Sequence, residues 1–374
     1  MTMRVVFLET APPQSIGSMT RYANLLQMAL AGTPGVECSR AQLAISSLQL
    51  TRVPRRFRTL AHHAAVAWRA NSIVRHNPAD LYHVVDGSHG YITRWLPPGK
   101  TIVTAHDVIP ELQSRGRFSL QPPGSGARWL IRASLNGLLN ATHVISVSQS
   151  TANDLVAMTP IPAERISVVP LTLPPEFLPQ PGHEGLTWNL RRTCHDPFML
   201  HIGNNAFYKN RIGVLRIFDR IRSNHRVRLK LAGPPPDAEI CNLIQERGLD
   251  SLVDFICNPS DTEIIELYRT ARLLLFPSVY EGFGWPPLEA MAWGCPVVCS
   301  SNGSLPEVVG DAALIADASD EAQLASYCVS VLEDQTLSAT LVLRGLRRTT
   351  DFSLERFRSH LLSIYHTVIS HQRS

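Results

Sequence analysis

The stretch Ala271–Asp311, ARLLLFPSVYEGFGWPPLEAMAWGCPVVCSSNGSLPEVVGD, decides how the rest of the chain is read. Leu273 to Phe276 is a short apolar run stopped by Pro277, which predicts a buried strand. Ser278 to Trp285 follows as a loop holding Glu281, Gly282 and Gly284. Pro286 and Pro287 stand where a helix can start, because proline's fixed φ and missing N–H cost nothing in a first turn. Leu288, Met291 and Ala292 give that helix an apolar face, Gly294 ends it, and Cys295 to Cys299 reads as a second buried strand. Strand, glycine loop, helix, strand is the order of an open parallel sheet, where ligands bind beyond the carboxyl ends of the strands and face helix N-termini. Glycines let backbone N–H groups come close to a ligand. An anion there meets the positive end of the helix dipole. Glu281 on the loop and Glu289, expected in the first helical turn, flank one site.

Length and composition bound what such a site can belong to. At 374 residues the chain is long enough for two domains. Apolar content of 44% with 18% charged residues describes a soluble globular protein. A run of about 18 apolar residues is absent, so no transmembrane helix is expected. Val5 to Leu8, interrupted by Glu9, is a first strand and too short for a signal-peptide core. Seven cysteines without a C-x-x-C pair argue against a disulfide framework or a zinc cluster and fit a reducing, cytoplasmic setting. A net charge of +4 gives no argument for nucleic acid.

Pro277-Ser278, Glu281-Gly-Phe-Gly284, Pro287, Glu289-Ala-Met-Ala292, Gly294 and Pro296-Val-Val298 together resemble the signature of the retaining, nucleotide-sugar-dependent glycosyltransferases of family 4, in its glycogen-synthase-like and mannosyltransferase-like group. The resemblance implies an α/β architecture of GT-B type, two Rossmann-like doubly wound domains facing a central cleft. It implies an acceptor-binding domain over 1–172, a nucleotide-sugar-binding domain over 173–353, and a C-terminal helix over 354–374 that crosses back to the first domain. It extends to His106-Asp107-Val-Ile-Pro110, to Ser148 as an N-cap before Asp154-Leu155, to Ile166-Ser-Val-Val-Pro170, and to Lys209-Asn210 after Gly203. Two departures stand out. Ser15 and Ile16 precede Gly17, where family members carry further glycine, and Asn204 and Asn205 replace the arginine expected after Gly203.

The implied reaction moves a sugar from a nucleoside-diphosphate donor to an acceptor hydroxyl with retention. Its barrier is the glycosyl–phosphate bond, so stabilising the diphosphate is the main task. By resemblance, Lys209 grips the diphosphate, with Arg211 joining it or facing solvent. Glu281 and the backbone of Gly282, Phe283 and Gly284 hold the sugar, and N–H groups from Gly284 to Leu288 meet the phosphates. Glu289 receives the ribose hydroxyls, the backbone at Ile256 meets the base, and Gly203, Asn204 and Gly17 border the donor. His106 contacts the sugar or β-phosphate from the other domain. His106, Lys209 and Glu281 are the catalytic candidates. No D-x-D triplet occurs, so no metal or other cofactor is expected on the diphosphate. The donor leans to GDP-mannose, and the acceptor to a glycan or lipid-linked glycan of bacterial surface polysaccharide synthesis. The alternatives weighed are a catalytically inactive sugar-nucleotide-binding partner subunit, a GT-B sugar-nucleotide epimerase, and a phosphorylase, for which Lys100, Lys209 and Lys230 offer no cofactor-holding setting.

Other stretches carry narrower expectations. The segment 52–76 places six arginines around Phe57, Leu60 and Trp68. It reads either as a basic helix on an anionic membrane surface, at the inner face of the plasma membrane, or as a helix that packs Trp68 into its own domain; the second is favoured. His62, His63, His83 and His89 read as ordinary structural histidines, with His89 the one to revisit. Asp86 to Gly90 is expected as a loop, Arg115 to Gly126 as a polar loop over the acceptor side, and Leu186 to Arg192 as a helix.

Overall fold

The computed structural model describes residues 2–12, 17–45, 51, 53–118, 120–179 and 196–373. The expected helix at Leu186–Arg192 lies outside the described residues, as do Ser15, Ile16 and Arg52. The chain divides into two compact units. Unit 1 comprises Met1–Leu171 with Leu354–Ser374, and unit 2 comprises Thr172–Ser353.

Unit 1 is built on six parallel strands, β1 (Met3–Glu9), β2 (Val36–Gln42), β3 (Leu81–Val84), β4 (Thr101–Ala105), β5 (His143–Ser146) and β6 (Ile166–Val168). Their order is β2-β1-β3-β4-β5-β6. Val5, Val6, Phe7 and Leu8 are buried, as are Ile102, Val103, Val144 and Ile145, which fits strands covered on both faces. β2 was not foreseen. It pairs with β1 from Met3↔Val36 to Glu9↔Gln42, yet it is a half-exposed edge strand of sequence VECSRAQ and lacks the apolar run that marks its neighbours. The C-terminal helix Leu354–Arg373 belongs to this unit. Phe357, Leu361, Tyr365 and Val368 are buried on it, and Tyr365 Oη lies 2.7 Å from His83 Nδ1.

Unit 2 repeats the plan with β7 (Phe198–Ile202), β8 (Arg228–Gly233), β9 (Val253–Cys257), β10 (Leu273–Phe276), β11 (Val297–Ser300) and β12 (Ala313–Ala316), in the order β12-β11-β10-β7-β8-β9. Its helices are capped from the sequence. Ser260 and Glu263 form a reciprocal capping box before Asp261–Thr270, and Asp237, Asp320 and Asn210 accept from the N–H groups of the helices they open.

Several local expectations are revised. Asp86–Gly90 is not a plain loop: Gly87–Trp95 is 3-10 helical, with Asp86 accepting from Ser88 N. The polar segment 115–126 becomes helical at Ser125, where the helix Ser125–Asn140 begins, and an additional short helix runs over Ile109–Ser114. Trp68 does not pack into its domain. It is 69% exposed on the helix Arg58–His76, beside exposed Leu60.

Candidate functional site

A doubly wound sheet presents its ligand crevice where successive connections leave in opposite directions. In unit 2 that point lies between β7 and β10, because β8 and β9 extend to one side and β11 and β12 to the other. The loops after these two strands are those carrying Gly203–Asn210 and Ser278–Gly284. They are joined directly: Val279 N donates to Tyr208 O at 2.7 Å, and Asn210 Nδ2 donates to Pro277 O at 2.9 Å.

Lys209 and Glu281, 72 residues apart, meet across this junction. Lys209 Nζ donates to Glu281 Oε1 at 2.7 Å, with the side chains only 14% and 9% exposed. The lysine stem lies over Gly203, where an added Cβ would come within 3.3 Å of Lys209 Cβ and Cγ. Its ammonium sits 5.1 Å from the Phe276 ring centroid and 5.5 Å from that of Tyr208, within cation–π range. Beneath it His201 is fully buried and donates from Nδ1 to Leu275 O at 3.0 Å. Burial, with Arg211 and Lys209 nearby, pushes its pKa down to about 3, so it adds no charge at neutral pH.

The glutamate loop is held from behind. Ser304 N donates to Glu281 O at 3.1 Å, and Ser304 Oγ lies 3.0 Å from Glu281 O and 2.6 Å from Phe283 O. Nothing in the sequence marked Ser304 as a clamp on the glutamate loop. Gly284 has φ +111 and caps the helix Trp285–Ala292. Phe283 is buried with its ring 5.8 Å from that of Phe352, and Gly282 is buried beside it. The helix N-terminus offers fewer donors than expected. Pro286 and Pro287 have no N–H, and Leu288, itself buried, spends its N–H on Gly284 O at 3.4 Å.

Glu289 differs from expectation too. It lies in the second helical turn, 3% exposed, and its Oε2 accepts from the buried Tyr268 hydroxyl at 2.9 Å. Tyr268 comes from the helix before β10, and nothing in the sequence linked it to the glutamate. Arg211 does not face solvent. It is 3% exposed, and Nη1 donates to Asn205 Oδ1 and Pro234 O. Burial lowers its pKa, with Asp237 and Cys257 opposing. Asn204 closes a turn by accepting from Ala206 N at 3.0 Å. Ile256, half-buried, is the penultimate residue of β9 beside Ala232, and Asn258 N donates to Gly233 O.

In unit 1 the corresponding switch lies between β1 and β3. Gly17 caps the helix Ser18–Leu30 in extended backbone, and Arg21 N donates to its carbonyl. His106 follows β4 and donates from Nε2 to Val85 O at 2.9 Å. Its ring meets Tyr22 edge-on at 4.6 Å. Burial lowers its pKa, with Asp86 and Val85 O opposing. A cavity of about 720 Å³ is lined by Arg115, Arg128, Trp129 and Arg132, among others. A smaller one of about 180 Å³ adjoins it, sharing Trp129 and Arg132 and adding Tyr91, Arg94 and Trp95. Among the described residues, the group of three or more metal-capable side chains is His62, His63 and His89, in unit 1 and not at Lys209.

With the geometry in place, the family models agree on both halves. Residues 32–177 match the model for "Glycosyltransferase Family 4", and 189–346 that for "Glycosyl transferases group 1". The chain is a family-4-type glycosyltransferase with the GT-B fold. It is 28% identical over 294 residues to "O-antigen chain mannosyltransferase B" of Escherichia coli, covering 76% of this chain and 74% of that protein. It is 25% identical to "Serotype-specific mannosyltransferase WbdA" of Escherichia coli, covering 80% of this chain but 38% of the relative. Among solved structures, sucrose-phosphate synthase of Thermosynechococcus elongatus superposes with a TM-score of 0.81 at 20% identity over 99% of this chain and 100% of that one. WaaG, a glycosyltransferase involved in lipopolysaccharide biosynthesis, gives 0.73 at 16%, covering 96% of this chain and 99% of that one. These likenesses show the fold. Among the described residues, no helix of this glycosyltransferase is long and apolar enough to cross a membrane.

Proposed function

We propose that the chain transfers mannose from GDP-mannose, with retention and without a metal on the diphosphate, to a glycan or lipid-linked acceptor in surface polysaccharide assembly. The observation that carries this reading is the Lys209–Glu281 pair at the switch point of unit 2. A cation held by a carboxylate and two aromatic faces is poised to exchange partners when a diphosphate arrives. The arriving anion takes the ammonium, and the carboxylate turns to sugar hydroxyls. Charge growing on the departing phosphate then meets a fixed cation in a water-poor setting, the kind of stabilisation that lowers such barriers most. The choice of mannose rests on the names of the relatives, which include an MMP α-(1→4)-mannosyltransferase of Mycolicibacterium hassiacum. It is an argument by analogy.

Glu289 keeps the ribose role in this reading, with Tyr268 fixing its carboxylate. His106 keeps the sugar-side role that the resemblance implies. The arginine- and tryptophan-lined cavities of unit 1 suit an acceptor glycan, since indole faces pack on sugar rings and guanidinium groups bind anionic substituents. Exposed Phe57, Leu60 and Trp68 on the arginine-rich segment suit peripheral contact with an anionic membrane, at the cytoplasmic face.

The test is a thermal-shift screen with GDP, UDP, ADP and dTDP, with and without EDTA. A ligand that binds only the folded state raises the melting temperature by mass action. A shift with GDP alone, of equal size in EDTA, is expected. A shift with UDP instead, or one abolished by EDTA, overturns the donor or the metal-free reading. Turnover of GDP-mannose with acceptor then separates an enzyme from an inactive sugar-nucleotide binder, which Asn204 and Asn205 in place of an arginine keep in view.

A further inference from the structure

His62 and His63 are adjacent on the helix Arg58–His76, and His89 lies on the 3-10 segment Gly87–Trp95. Neighbouring helical residues diverge by about 100° around the axis, so two adjacent histidines do not make a chelating pair unaided. Here the 3-10 segment lies against that helix and brings His89 beside both, closing a triangle of imidazoles. One ring nitrogen from each of the three lies within 4.8 Å of the others. Ring centroids are 5.3 Å apart for His62–His63, 5.8 Å for His63–His89 and 6.5 Å for His62–His89.

Two of the three rings already have a partner on Nδ1. His89 Nδ1 lies 3.2 Å from Asp86 Oδ2 and 3.1 Å from Ser88 Oγ, and His63 Nδ1 lies 2.9 Å from Tyr91 Oη. A carboxylate or hydroxyl on the far nitrogen fixes the tautomer of a metal-ligating imidazole and raises its basicity. Asp86 is itself fixed, capping the 3-10 segment through Ser88 N. All three histidines are half-buried, reachable from solvent yet framed. Burial, with His89 and His62 beside it, pushes His63 down to about 4, and burial with His89 and Arg69 nearby lowers His62.

We propose that His62, His63 and His89 bind one divalent first-row transition ion, zinc by preference, through three imidazole nitrogens, with the fourth position open to water or an anion. An all-imidazole set disfavours magnesium and calcium, which take oxygen ligands. Zn–N bonds of about 2.0–2.1 Å in a tetrahedron place the nitrogens about 3.4 Å apart, which ring rotations can reach from the present spacing. The ion would pin the arginine-rich helix to the segment carrying Asp86 at the switch point of unit 1. Tyr91, which holds His63, also lines the smaller cavity beside Trp129 and Arg132, so the open position lies next to the proposed acceptor surface. This ion is separate from the diphosphate site in unit 2.

The experiment uses tag-free chain stripped of metal, titrated with Zn²⁺ in equilibrium dialysis, and with Co²⁺ while the visible spectrum is recorded. Stoichiometric Zn²⁺ binding, an intense four-coordinate Co²⁺ spectrum and a raised melting temperature are expected. His89→Ala and His62→Gln should each abolish the spectrum and the melting shift. Asp86→Asn, which keeps the cap, should keep the stoichiometry but weaken affinity about 10–100-fold. His366→Ala, an exposed histidine on the C-terminal helix, should change nothing. Far-UV circular dichroism checks that each variant is folded. No stoichiometric binding by the unaltered chain, or binding that survives both His89→Ala and His62→Gln, overturns the proposal.

Discussion

Both switch points of this glycosyltransferase lie in six-stranded parallel sheets, between the first and third strands in unit 1 and between the first and fourth in unit 2, and they differ in chemistry. Unit 2 sets a lysine against a glutamate at 2.7 Å, on loops tied by backbone hydrogen bonds and braced by Ser304. Unit 1 sets histidines, Asp86 and Thr10 around its crevice, with Thr10 Oγ1 3.5 Å from Asp86 Oδ2. In the proposed function, the first arrangement answers a ligand of fixed, strong negative charge. The second carries the Asp86 carboxylate, which burial disfavours but which hydrogen bonds from His89 and Ser88 hold well below the usual carboxylate range, and cavities in the same unit are lined by arginine and tryptophan. In the proposed function, two doubly wound sheets thus divide an electrostatic task from a recognition task by what stands on the loops at their switch points.

Removing the lysine should break that contrast most severely. Lys209→Ala is expected to lower kcat by about 10²–10³-fold, the scale of losing a key oxyanion-stabilising group, as checked by donor turnover at saturation. It also leaves Glu281 buried without its ion pair, which costs about 3–5 kcal/mol in comparable cases. The double variant Lys209→Ala/Glu281→Gln separates the two effects. Stability should recover while turnover stays low. Turnover near normal in the single variant would remove the leaving-group role.

Acid should act on both units alike. His83, buried between Tyr365 Oη and Thr104 Oγ1 at 2.7 Å each, is pushed down to about 3, as is His201. Each folded value lies below the ordinary 6.5, so below pH 6.5 the unfolded chain binds protons that the folded chain refuses. The stability is present in full above that pH and is lost as pH falls toward 3. The slope is at most about 1.4 kcal/mol per pH unit for each histidine. Urea unfolding across that window should show it, and His201→Asn should flatten it for unit 2 alone. Equal slopes before and after would mean that other groups carry the acid sensitivity.

Unit 2 was the more legible half for a physical reason. Leu273–Phe276, Phe198–Ile202 and Val253–Cys257 are apolar runs between turn signals, and Lys209 and Glu281 each sit just beyond such a run. A site that lies at strand ends in a parallel sheet can be read wherever the strands can. β2 could not be read, because an exposed edge strand needs no apolar face. Nor could Tyr268 on Glu289, Ser304 on Glu281 or His89 beside His62 and His63, because these are meetings between segments that only packing brings together. The loop expected at Asp86–Gly90 failed for a related reason. Asp86 supplies a cap that stabilises a 3-10 turn, and Gly90 is needed where the chain meets Ser134 O, 2.4 Å from where its Cβ would stand.

Glu289→Ala refines the comparison within unit 2. Donor affinity should weaken by about 10–100-fold if the carboxylate takes ribose hydroxyls through charge-assisted hydrogen bonds, each worth about 1.5–3 kcal/mol. Calorimetric titration of nucleotide diphosphate measures it, with kcat at saturating donor changing much less. Unchanged nucleotide affinity would return Glu289 to a purely structural role.

Tyr268→Phe is the gentlest probe and the most discriminating. The substitution removes a single hydroxyl from a fully buried ring and leaves its packing against unit 2 intact. If the hydroxyl serves only the fold, stability drops by about 1 kcal/mol and nucleotide affinity stays where it was. If it orients Glu289 for a ligand, the carboxylate is freed to rotate, and nucleotide affinity falls by about 3–10-fold. In the Glu289→Ala background the same change should then have no further effect on affinity, since it acts through a carboxylate that is gone. A Tyr268→Phe loss that persists in that background would mean that the ring touches the donor by another route.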